Sequence, residues 1–215
     1  MYSFLVNFGY FLLLINFIVF AIGLSKKQKS YVIFTVYLFL IVCIQIITLV
    51  LRKLGVNNLF LSHFYFIGQF LMLGLFYFNL IADKFQKKVI KITLVLALLS
   101  LVIQYSIRPD LFFEFNLYEI FITSFLLIIY ATFHFYNMLN GKKVFYYINI
   151  GIILYLFGST ILFLVGNLSI MLSSKYYKVP SRINYILYIV FQLFILIEWR
   201  KSFYKNKETN SLNKL

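Results

Sequence analysis

The stretch NLYEIFITSFLLIIYATFHFYN, residues 116–137, is apolar apart from a few positions, among them Glu119 near its start and His134 near its end. A carboxylate and an imidazole are the usual carriers of acid–base work and proton transfer. A charge at the centre of a membrane span costs about 2.5–3.5 kcal/mol, so such groups seek protein partners or water. At 100° per residue, Asn116, Glu119, Thr123, Tyr130, His134 and Asn137 fall on one helical stripe. Roughly 22 Å of helix separates Glu119 from His134, which excludes them as a catalytic pair.

Other apolar runs carry similar stripes. Ser62, Tyr65, Gln69, Met72, Phe76 and Asn79 recur at spacings of three and four. So do Gln45 and Thr48; Thr93, Ala97, Ser100 and Gln104; and Tyr185, Tyr188 and Gln192. Gly9, Asn16 and Gly23 lie seven apart, and Gly151, Tyr155, Gly158, Ser159 and Gly166 give one run a small-residue face. Polar and small residues at this spacing are expected to face a bundle interior, where each interhelical hydrogen bond contributes about 0.6 kcal/mol. One set reads as more than adhesive. Tyr65, Gln69, Glu119, Thr123, Tyr185 and Tyr188 all fall in the same half of their runs and are expected to line a ligand-binding cup. His63 points away from the Tyr65 and Gln69 stripe. With His134 and Glu198 it is read as an interfacial polar residue, and Glu198, Trp199 and Arg200 together read as an interfacial anchor.

Several chemistries lack their residues. The sequence has no HExxH, GxSxG, P-loop or glycine-rich nucleotide fingerprint. Asp83 and Asp110 fall in connections, and the two histidines fall on different runs near opposite ends. A retinal protein needs a lysine deep in its last span, and the last run here has none. The lone cysteine, Cys43, is read as a small apolar filler. The expectation is a protein with no catalytic residue, no cofactor and no metal site.

The elements that must position these residues follow from composition. Of 215 residues, 63% are hydrophobic, against about 45–50% in soluble domains. A transmembrane helix needs about 20 mostly apolar residues. Seven runs qualify, over 2–24, 31–51, 58–81, 89–107, 115–139, 144–167 and 183–200. The fold class expected is all-α: a polytopic seven-transmembrane-helix bundle over 1–200, with no soluble domain and a basic, disordered cytoplasmic tail over 201–215. The first run has no basic residues ahead of it and reads as a retained span, not a cleaved signal. Both prolines, Pro109 and Pro180, fall in predicted outer loops.

The net charge of +14 would suggest nucleic acid in a soluble chain. Here the basic residues read as topology signals. With the N-terminus outside, fourteen Lys and Arg lie on the cytoplasmic side and six outside, which favours N-out and C-in. The cup is then on the outer side, and the bilayer is the first partner, with a membrane protein or a second copy as the next. The setting expected is the bacterial cytoplasmic (inner) membrane.

The stretches NLFLSHFYFIGQFLMLGLFY, 58–77, and FYYINIGIILYLFGSTILFLVGN, 145–167, resemble segments of small, uncharacterised seven-span integral membrane proteins of Bacteroidota. The resemblance implies the seven-span fold and a role beside sensory signalling genes. Gln69 stands where that pattern would place an acid. Three functions are open at this point: a sensory or accessory module that couples an outer ligand or lipid to a membrane partner, a small transporter or channel subunit, and a membrane enzyme acting on lipid.

Overall fold

The computed structural model describes residues 2–24, 28–139, 141–171 and 178–204. Among them the structure is all helical. It consists of α1 (Tyr2–Ile22), α2 (Lys29–Lys53), α3 (Leu61–Leu80), α4 (Lys84–Ile107), α5 (Leu117–Leu139), α6 (Tyr146–Met171) and α7 (Val179–Glu198). A short 3-10 helix, Pro109–Phe113, connects α4 to α5, and a π-helical turn, Trp199–Tyr204, extends α7. Among the described residues seven helices are long and apolar enough to cross a membrane. The tail from residue 205, Lys26, Lys27 and much of the connection before α7 lie outside the described residues.

Local chemistry sets the ends. α4 begins earlier than its apolar run because the Asp83 carboxylate accepts the Gln86 amide at 2.7 Å, which caps a basic first turn. α2 ends at Gly55, whose φ of 72° suits a residue without a Cβ. The Gly55 amide there returns to Arg52 O, and the Val56 amide to Leu51 O, which satisfies two terminal carbonyls. Pro109 lies in the α4–α5 connection as expected, whereas Pro180 belongs to a spanning helix and not to a loop. Pro109 opens the 3-10 helix and Pro180 sits, buried, in the first turn of α7, where a missing N–H costs nothing.

The chain forms two compact units. The first comprises α1, α6, α7 and the end of α5 from His134. Small residues set its packing. A Cβ on Gly151 would lie 2.9 Å from Cβ of Phe194, and one on Gly158 would lie 2.5 Å from Cδ1 of Leu187, so α6 and α7 meet closely along the predicted small-residue face. Asn16 on α1 donates through Nδ2 to the carbonyl and the side-chain oxygen of Gln192 on α7, both at 2.9 Å.

The second unit comprises α2, α3, α4 and α5 up to Phe133. Gln69 on α3 donates to the Tyr37 hydroxyl on α2 at 3.2 Å. Thr93 on α4 and Tyr130 on α5 share a hydrogen bond of 2.7 Å. The expected face of α3 is turned by about one residue position, or roughly 100°. Its buried residues are His63, Phe66, Phe70, Leu73 and Tyr77 together with Gln69 and Phe76, whereas Ser62, Tyr65, Met72 and Asn79 are only half-buried. On α5 most of the stripe lies where expected: Asn116, Glu119, Thr123, Tyr130 and His134 are buried, and Asn137 is half-buried.

Candidate functional site

The site grows from the start of α5. Asn116 precedes the helix, and its Oδ1 accepts the Glu119 amide at 3.3 Å, as an N-cap residue does. In a capping box the glutamate three residues on folds back to the cap. Glu119 instead sends its carboxylate across to α3 and α4. Oε2 lies 3.1 Å from Nδ1 of His63 and accepts the hydroxyl of Tyr105. That hydroxyl oxygen is also 2.9 Å from His63 Nδ1 and 3.1 Å from Asn116 Nδ2. Asn116 Nδ2 donates further to Gln104 Oε1 at 2.9 Å.

Proton bookkeeping fixes the roles. Tyr105 has one hydroxyl proton and gives it to Glu119, so its oxygen can only accept from Asn116 and His63. Nδ1 of His63 therefore carries a proton, and in the neutral ring Nε2 is a bare acceptor. Glu119 is 0% exposed and His63 2%. Burial this deep makes an unmet polar atom costly, at about 1–3 kcal/mol. Two such atoms lie in the cluster: Glu119 Oε1 and His63 Nε2 have no partner.

The 3-10 helix roofs the cluster. Phe112 lies nearly parallel to the His63 ring at 5.4 Å, and edge-on to Tyr105 at 6.2 Å. On either side of Ile67 and Phe112 runs an apolar groove. The larger, about 680 Å³, lies between α2 and α3 and reaches His63. The smaller, about 390 Å³, lies between α3 and α4 and reaches Tyr105. This arrangement holds no activated nucleophile. It can hold a hydrogen-bonding head beside an apolar chain.

The expected cup residues are distributed differently. Glu119 is the centre of the cluster, and Thr123 sits one turn on, where its hydroxyl donates to the Glu119 carbonyl at 2.7 Å. Gln69 lies deeper, bonded to Tyr37. Tyr65 is half-buried and edge-on to Phe66 at 5.3 Å. Tyr185 and Tyr188 belong to the first unit, where Tyr188 packs on Tyr155 at 5.8 Å and against Gly9.

The residues read as interfacial are all withdrawn into the protein. His63 is the partner of Glu119, brought inward by the turn of α3. His134, 5% exposed, bonds through Nε2 to the Val144 carbonyl at 2.9 Å and so ties the end of α5 to the segment before α6. Glu198, 0% exposed, accepts the Tyr147 amide at 2.7 Å. Among the described residues no three His, Cys, Asp or Glu side chains gather as a metal site.

Sequence reasoning missed Tyr105 and Phe112. Tyr105 lies beside Gln104, one place off the α4 stripe. Phe112 follows Pro109, and a proline-led PDLFF segment was a signal for a short ordered turn. The Asn116–Glu119 spacing also matched a helix start. Compared with known proteins, the chain matches no family model, no curated protein and no solved structure.

Proposed function

We propose that this chain is a multi-pass protein of the bacterial inner membrane that acts as a sensory or accessory module. It recognises a small ligand or lipid at the Glu119–His63–Tyr105 cluster and passes the event to a membrane partner. One observation carries the reading: a buried carboxylate oxygen and a buried imidazole nitrogen without partners, set beside two apolar grooves. Among the described residues Asn16 Oδ1 and Asn184 Oδ1 are also buried without a partner, but neither residue lines these grooves. Buried ionisable residues in a span mark ligand or ion sites by default.

The excess of basic residues on one side supports an N-out, C-in orientation. In it the α2–α3 and α4–α5 connections lie outside, and the cluster lies near the outer face beneath the 3-10 helix. The resemblance of 58–77 and 145–167 to the Bacteroidota proteins supports the bacterial setting. The cluster draws on α3, α4 and α5 together, so a ligand there shifts these helices against one another, and that shift is what a partner reads.

The test is affinity purification of the tagged full-length chain from native membranes in mild detergent, wild type beside Glu119→Gln. Bound proteins, lipids and small molecules are identified by mass spectrometry. The expected result is a component held by wild type and lost from the variant. Identical retention by both ends the reading.

A further inference from the structure

We propose that the α2–α3 groove seats the hydrocarbon chain of a neutral amphiphile, whose hydroxyl head donates a hydrogen bond to His63 Nε2. The proposal rests on the site reading above and names its ligand class. Four observations support it. The groove, about 680 Å³, falls within the roughly 300–1,000 Å³ of small-molecule sites. Its wall from Val36 to Ile47 runs along about 16 Å of α2, the reach of a medium acyl chain. Apart from the Cys43 thiol, the one polar side chain lining the groove is His63 on α3, beside Phe112. Flanking residues Phe39, Ile47 and Phe64 are 46–53% exposed, so the groove is open to the side and, in the membrane reading, a chain enters from the bilayer.

The head chemistry follows from the acceptors. With the ring neutral, His63 gives its Nδ1 proton to the Glu119 and Tyr105 oxygens, which leaves Nε2 needing a donor. Glu119 Oε1 is a second acceptor without a donor. A head that brings a hydroxyl group meets the need at Nε2, the acceptor of the residue that lines the groove; an ester or an ether without hydroxyls does not. A phosphodiester head brings acceptor oxygens to a site that needs a donor. Phe112 covers the His63 ring, so an entering head displaces Phe112 from its stack.

The experiment uses the full chain purified in detergent and follows its affinity for 1-decanoylglycerol, with methyl decanoate as the same chain without hydroxyls. Three proteins are compared: wild type, Ile44→Trp, which fills the groove away from the polar cluster, and Glu119→Gln. Unliganded thermal midpoints verify that each is folded. The glycerol ester is expected to bind wild type at least about tenfold more tightly than the methyl ester, the effect of one hydrogen bond to a buried group. Ile44→Trp is expected to abolish binding.

Equal affinity for the two esters overturns head recognition, and undiminished binding to Ile44→Trp overturns the groove as the seat. Loss in Glu119→Gln with retention in Ile44→Trp leaves the polar cluster as a ligand site and removes only the groove. Retention in both variants removes the two readings together.

Discussion

Two carboxylates, Glu119 in the α2–α5 unit and Glu198 in the α1–α6–α7 unit, are each 0% exposed, and they are used differently. Glu198 accepts the Tyr147 amide at the first turn of α6, where the helix dipole favours a negative charge and free amides need an acceptor. Lys201 completes that corner by donating to the Tyr147 hydroxyl at 2.8 Å, above the same ring. Glu119 is held by side chains from two other helices and keeps one oxygen unmet. A carboxylate engaged by backbone amides finishes a helix. One engaged by an imidazole and a phenol, with acceptor capacity left over, is built to receive something.

The sharpest way to break that contrast is to remove each acid. Glu198→Ala leaves the start of α6 uncapped and is expected to lower stability by about 3 kcal/mol, read as a drop in thermal midpoint by circular dichroism in detergent. Glu198→Gln keeps an acceptor oxygen and should recover much of that loss. Glu119→Gln should cost less stability than Glu198→Ala while changing what the protein binds. A reversed order would exchange the structural and functional assignments.

A second comparison lies within α6. Gly151→Ala sets a methyl against Cβ of Phe194, which cannot swing away, and should cost about 2 kcal/mol. Gly158→Ala meets the mobile end of Leu187 and should cost less in the same assay. Equal losses would show that α6 and α7 separate as rigid bodies and do not yield at single side chains.

The smallest effect concerns hydrogen bonds that only join helices. Thr93→Val removes the bond to Tyr130 and is expected to cost about 0.6 kcal/mol with no change in ligand binding. A loss of binding there would extend the site along α5, beyond the Glu119 cluster.

Much of the fold was legible because a long apolar run has few alternatives to a helix. The start of α4 was not, because its lysines interrupt the apolar signal while the Asp83 cap still holds a helix. Five of the six stripe residues on α5 are buried, all but Asn137. That on α3 was only partly right, for a physical reason: Ser62 donates to Leu59 O in the turn before the helix and Asn79 to Leu75 O within it, so neither needs an interior partner. A polar residue that satisfies itself carries no information about which face is inside. The His63–Glu119 contact joins residues 56 apart on non-successive helices, and periodicity on either helix alone cannot supply the rotation that makes them meet. Tyr105 was hidden by the same missing rotation.

Phe112 has ring contacts with Phe60, His63, Phe64, Tyr105 and Phe113, which come from the start of α3, the end of α4 and its own short helix. A fluorine placed on that ring would sit in the magnetic shielding of all five neighbours. Its resonance would then act as a one-atom gauge of how α3 and α4 stand to each other, and would move whenever an entering molecule lifts the ring from His63.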